Sequence, residues 1–65
     1  MTSLPRLLDR KALAEEMGVG RATVDAIFRA LPVVVLPDLR KPFVRRDDVL
    51  RLLEENTYTE GRVRP

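Results

Sequence analysis

The tightest constraint on this chain is Gly18-Val19-Gly20, set between two short apolar stripes. Glycine just ahead of a helical run serves two unlike structures: a loop cradling a nucleotide phosphate, or a tight turn between helices. A dinucleotide fingerprint needs a strand before the first glycine and a third glycine three residues after the second. Here a helical pattern precedes Gly18, and Thr23 stands at that third position. No Gly-Lys-Ser/Thr follows, so a P-loop fails as well. The turn reading accommodates every residue. Gly18 closes one helix in the left-handed region, Val19 tucks between the helices, and Gly20 caps the next.

The flanking residues extend that reading. Asp9 is suited to an N-cap, and Ala12, Leu13 and Met17 give the face of a helix over Arg10 to Met17. Val24, Ile27, Phe28 and Leu31 recur at the spacing of an amphipathic helix, which Pro32 stops. The opposite face carries Ala22, Asp25, Ala26 and Arg29, with Arg21 at the entrance. Val33 to Leu36 is β-branched and too short for a helix, so it reads as a strand. A proline-bounded turn and a returning strand, Phe43 to Arg46, make a hairpin with Arg40 and Lys41 at its tip. Asp47 and Asp48 then open a last helix through cap and dipole, and Val49, Leu50, Leu52 and Leu53 form its apolar face.

The resulting organisation is an arm over residues 1–8, where Pro5 opposes helix, one domain over 9–56, and a polar tail over 57–65. The expected core is Leu13, Met17, Val24, Ile27, Phe28, Val44, Val49, Leu50 and Leu53.

At 65 residues only one small domain is expected, burying about 60% of its unfolded surface. With no cysteine and no histidine, neither a disulfide nor a Cys/His zinc site can staple it, and thiol and imidazole catalysis are excluded. The neighbouring carboxylates Glu15-Glu16 and Asp47-Asp48 point apart on a helix and have no nucleophile–base pair beside them. No enzyme activity, cofactor, metal or small-molecule substrate is therefore expected. Charges near the N-terminus oppose a signal peptide. The longest uncharged apolar run, Ala30 to Leu36, is far below the roughly 20 residues of a membrane span. A soluble protein of the cytoplasm is expected.

Net charge is only +2, but its distribution is uneven. Residues 21–46 carry Arg21, Arg29, Arg40, Lys41, Arg45 and Arg46 against Asp25 and Asp38. Residues 47–60 carry Asp47, Asp48, Glu54, Glu55 and Glu60 against Arg51 alone. A basic middle beside an acidic end suits a polyanionic partner.

With these pieces in place, the stretch Leu7 to Glu55 resembles the excisionase-type, MerR-like winged helix-turn-helix domains. The resemblance is carried by Gly18-Val19, Arg21-Ala-Thr-Val24, Leu31-Pro32 and Arg45-Arg46-Asp-Asp-Val49. The chain departs from the family pattern at Gly20, where serine is usual, and at Asp25, where an aromatic residue is usual. Its link from Arg29 to Leu31 is short, and prolines bound the wing tip. The resemblance implies an α+β, mainly α fold: a helix-turn-helix, a β-hairpin wing and a C-terminal helix. It also implies double-stranded DNA as the partner.

On that footing Arg21, Ala22, Thr23, Asp25 and Arg29 are the expected contacts of the second helix. Arg29 and Arg21 lead, since a guanidinium forks onto guanine or clamps a phosphate. Asp25 either accepts from cytosine N4 or pairs with Arg21 or Arg29. Thr23 offers its hydroxyl to a phosphate or only pads the helix start. Arg40 and Lys41 would reach a minor groove or the backbone. Arg45 and Arg46 flank phosphates or pair with Asp47 or Asp48. By resemblance, the role is that of a phage excisionase, a recombination directionality factor. Such a protein binds tandem sites cooperatively, with copies head-to-tail, bends DNA and directs an integrase toward excision in a bacterial host. Alternatives are a small MerR-like or AlpA-like transcriptional regulator and, from another class, a protein-interaction module using the Val33–Leu36 edge strand.

Overall fold

The computed structural model describes residues 4–59. Within them lie three helices and a three-stranded antiparallel sheet, in a mixed α+β arrangement that is mainly helical. Chain order is β1 (Leu7–Leu8), α1 (Arg10–Met17), α2 (Arg21–Ala30), β2 (Val34–Val35), β3 (Pro42–Arg45) and α3 (Arg46–Glu55).

Helix α1 starts where expected. Asp9 is extended, and its Oδ1 accepts from the Ala12 amide at 2.8 Å, satisfying one of the amides that no helical turn can reach. Gly18 closes the helix at φ 67°, with its N–H donating to the Ala14 carbonyl at 2.8 Å. Two residues on, Gly20 is the extended N-cap of α2 and offers no side-chain bond. Helix α2 ends at Leu31, whose extended backbone (φ −116°, ψ 154°) is what the following Pro32 demands.

The hairpin is real but shorter than the sequence reading. Val34 and Val35 pair with Phe43 and Pro42, and Arg46 belongs to α3 rather than to the returning strand. Its turn is closed by the Leu39 amide donating to Leu36 at 3.2 Å. Pro37 stands second in that turn and Asp38 third, at φ 66°, the pattern of a type II turn with aspartate where glycine is favoured.

Part of the expected N-terminal arm belongs to the sheet. Leu7 and Leu8 pair with Arg45 and Val44, making β1 an outer strand beside the central β3. The Arg46 amide donates to the Arg6 carbonyl at 2.8 Å and continues this ladder. Leu8 is 3% exposed, a core residue. Residues 1–3 of the expected arm and 60–65 of the expected tail lie outside the described residues.

Helix α3 does not begin with the expected aspartate cap. Strand β3 runs into it without a break, so Arg45 is its N-cap and no side chain caps it. Asp47 and Asp48 sit in the first turn instead, where the helix dipole still favours them.

The core is Leu8, Leu13, Val24, Ile27, Phe28, Val44 and Val49, drawn from all three helices and from β1 and β3. Met17 packs at its edge, half-buried. Leu50 and Leu53, expected inside, are 42% and 41% exposed. Among the described residues, three helices and one small sheet leave no second layer to cover that side of α3.

Candidate nucleic-acid interface

Burying Val24, Ile27 and Phe28 turns the other side of α2 outward. Arg21, Ala22, Thr23, Ala26 and Arg29 are exposed, and Asp25 is half-exposed. Arg29 lies in the last turn, where the dipole favours a cation. Neither Arg21 nor Arg29 has an ion-pair partner among the described residues.

Asp25 is engaged, but with neither of the arginines on its own helix. Its Oδ1 accepts from Arg10 Nε at 3.0 Å, and the Arg10 guanidinium lies 4.6 Å from the centre of the Phe28 ring. Residues three apart share a side of a helix, so one guanidinium can serve the Asp25 carboxylate and the Phe28 face together. Arg10 thus stands at the start of α1 and leans across onto α2.

The hairpin behaves similarly. Arg40 is exposed and has no ion-pair partner among the described residues. Lys41 folds back onto α1, its Nζ donating to Asp9 Oδ2 at 3.2 Å. Asp9 therefore serves two partners, and the Ala12 amide first and the Lys41 ammonium second hold its carboxyl below the ordinary aspartate range. Two ion pairs, Lys41–Asp9 and Arg10–Asp25, stand on neighbouring residues at the start of α1 and form a charged ladder that ties the hairpin and the outer side of α2 to it.

The remaining predicted basic residues divide. Arg45 lies 3.6 Å from Asp48 Oδ2, and Arg51 lies 3.8 Å from Asp48 Oδ1. Asp48 is only 15% exposed, and its Oδ2 accepts no hydrogen bond among the described residues. Arg45 is thereby committed to the start of α3, whereas Arg46 is exposed and has no ion-pair partner among the described residues. Glu16, on α1, pairs with Arg6 at 3.3 Å.

Two residues of the ladder, Asp9 and Arg10, escaped the sequence reading of the site. Asp9 already had a local task as an N-cap, and Arg10 lay off the apolar face of α1. Their partners stand far along the chain, and spacing alone carries no signal for such tertiary pairs.

Two apolar surfaces are also open to solvent. An open depression of about 340 Å³ between α2 and the end of α3 is lined by Met17, Thr23, Ala26, Ile27, Ala30, Leu52, Leu53 and Asn56. Beside the outer edge of β2, Val33, Val35, Leu36 and Leu39 are all exposed, Val35 most at 63%. Among the described residues no helix is long and apolar enough to cross a membrane, and no three acidic, His or Cys side chains group to hold a metal ion. No family model, curated protein or solved structure matches this chain.

Proposed function

We propose that the chain is a sequence-specific, DNA-binding architectural protein of winged helix-turn-helix type, most like a phage excisionase. The observation that carries the reading is a pair of exposed basic elements, each tied to the start of α1 by an ion pair, Arg10–Asp25 and Lys41–Asp9. One is α2, which follows α1 through the Gly18–Gly20 turn and exposes Arg21, Ala22 and Arg29. The other is the β2–β3 hairpin, with Arg40 exposed near its turn. In such a unit α2 enters the major groove, small Ala22 lets the backbone approach, Arg29 reads a base edge, and Arg21 and Thr23 hold phosphates. Arg40 and Lys41 follow the adjacent backbone or minor groove as the wing, while Arg46 adds a phosphate contact.

Such a protein has no catalytic step. It binds tandem sites beside copies of itself, bends the duplex and steers an integrase in the cytoplasm of a bacterial host. A small regulator of the same fold is the neighbouring reading. A reading from another class, a protein-interaction module, draws on the exposed Val33, Val35, Leu36 and Leu39 beside an unpaired strand edge.

The deciding experiment is a mobility-shift titration on random duplex DNA across a salt series. A DNA binder loses affinity linearly in log–log form, with a slope near −0.9 per phosphate neutralised. Absence of binding at low salt overturns the reading. Selection from a random duplex library then supplies the preferred site.

A further inference from the structure

Arg10 belongs to none of the elements expected to touch DNA, yet it is held by both a carboxylate and an aromatic ring. Its Nε is held at 3.0 Å by Asp25, and its Cζ lies 4.6 Å from the Phe28 ring centre. The Phe28 ring is itself buried in the core, so it forms a fixed platform. A guanidinium has five N–H donors in a rigid fork, and among the described residues this arrangement engages the Nε one alone. The terminal nitrogens remain on a side chain that is 50% exposed, beside the outer face of α2.

From this geometry we infer that Arg10 is a DNA-phosphate contact. Asp25 is the positioning residue that aims it, and the Asp25 carboxylate reads no base. The inference rests on the DNA-binding reading and extends its interface from α2 onto the first turn of α1.

Three physical points support it. A cation seated over a ring and hydrogen-bonded at Nε has fewer rotamers open to it than a free arginine, so less is lost on gripping a phosphate. A carboxylate on the outer side of α2 would repel phosphates if it stood alone, and pairing with Arg10 neutralises that repulsion. An Asp25 oxygen that already accepts from Arg10 is poorly placed to turn toward cytosine N4 without first giving up that bond. The competing account makes the pair a lid over Phe28 with no outward task. That account predicts a loss of stability and no change in salt dependence.

The test uses the full chain with Arg10→Ala, Arg10→Lys, Asp25→Asn and Asp25→Ala. Binding is measured on the selected site and on random duplex over a salt series, with thermal denaturation of each free protein. One phosphate contact contributes a slope of about 0.9, hence roughly an eightfold loss at about 0.1 M salt. Arg10→Ala should show that loss on both DNAs and reduce the slope by about one charge. Arg10→Lys should keep the slope but bind less tightly than wild type. Asp25→Asn removes the negative charge and keeps an acceptor, so it should bind all sequences somewhat more tightly with unchanged base preference. Asp25→Ala should bind less tightly than Asp25→Asn, because Arg10 is no longer aimed.

An Arg10→Ala protein that binds with the wild-type slope overturns the inference while leaving the DNA-binding reading intact. So does a change of preferred base confined to one position in Asp25→Asn. A wild-type protein that binds no duplex overturns both.

Discussion

The Lys41 ammonium donates to the Asp9 carboxylate at 3.2 Å, tying the hairpin to the residue that caps α1. Asp9 thereby joins a local duty to a tertiary one, and acid should undo both. The Ala12 amide and then Lys41 lower its pKa in the folded chain. A depressed carboxylate stabilises the fold fully above its unfolded value, roughly pH 3.9, and that contribution is lost as pH falls through the lower folded value. Asp9→Asn keeps a good cap acceptor and cannot titrate, so its stability should fall less steeply than wild type below about pH 4. Asp9→Ala should be less stable than Asp9→Asn at neutral pH. Thermal denaturation from pH 7 to pH 2 checks both, and parallel curves for wild type and Asp9→Asn would show that Asp9 carries no linkage.

The two glycines of the turn should respond oppositely to a side chain. A Cβ at either position meets nothing within 4 Å, so space does not distinguish them. Backbone does: Gly18 sits at φ 67° and Gly20 at φ −84°. Gly18→Ala should destabilise by about 1–2 kcal/mol, the cost of a left-handed alanine. Gly20→Ser supplies the missing cap oxygen and should be neutral or stabilising by roughly a few tenths of a kcal/mol. Urea denaturation of both variants is the measurement, and a large loss at Gly20→Ser would contradict the cap geometry.

Leu8 should matter more than any leucine of α3. It is 3% exposed, whereas Leu50 and Leu53 are each about two-fifths exposed. Leu8→Ala should cost about 2–5 kcal/mol, the range for a buried leucine, and a domain this small has little more than that to lose. Leu53→Ala should cost less, under about 1.5 kcal/mol, because two-fifths of its surface stays in water in the fold. Near-equal denaturation midpoints for the two variants would contradict this ranking.

The pattern of what the sequence made legible follows from range. Helix α1 and its two ends could be read because Asp9 and Gly18 act on their own neighbours. The stop of α2 followed from Pro32 for the same reason. Strand β1 could not be read so: Leu7-Leu8 has no alternation to mark it, and its pairing with Arg45 and Val44 is distant in the chain. Asp47 and Asp48 looked like caps because nothing local reveals that β3 passes directly into α3. The cationic residues of the site were visible as residues, but their engagement was not. Arg10 with Asp25, and Lys41 with Asp9, depend on how α1 lies against its neighbours.

On the proposed DNA reading, the helix and the hairpin should fail differently. Arg29 is on the outer side of α2, while Arg40 and Lys41 adjoin the hairpin turn. Arg29→Ala should cost roughly 1–3 kcal/mol on the selected site and relax one base position. Arg40→Ala with Lys41→Ala should weaken all sequences alike and flatten the salt slope by about one to two charges. Equal losses for Arg29→Ala on selected and random duplex would remove α2 from base reading.

Copies should bind tandem sites cooperatively while remaining monomeric in solution. One recognition helix reads only a few base pairs, too few to find a site in a genome, so a second source of specificity is required. Among the described residues the longest helices are the ten-residue α2 and α3, shorter than a dimerising coiled coil needs. The charges instead favour unlike patches on one subunit. Arg45 and the largely buried Asp48 neutralise each other where β3 meets α3. Arg40 at the hairpin and Glu54 and Glu55 at the far end of α3 are exposed charges of opposite sign. Unlike patches make a head-to-tail contact, which propagates along the duplex unless rotation closes it. Titration of DNA carrying one, two or three sites should show rising affinity per site, and Glu54→Lys with Glu55→Lys should abolish the rise without weakening the single site. Sedimentation should find the free protein monomeric. Independent filling of the sites, or a stable dimer without DNA, would defeat the arrangement.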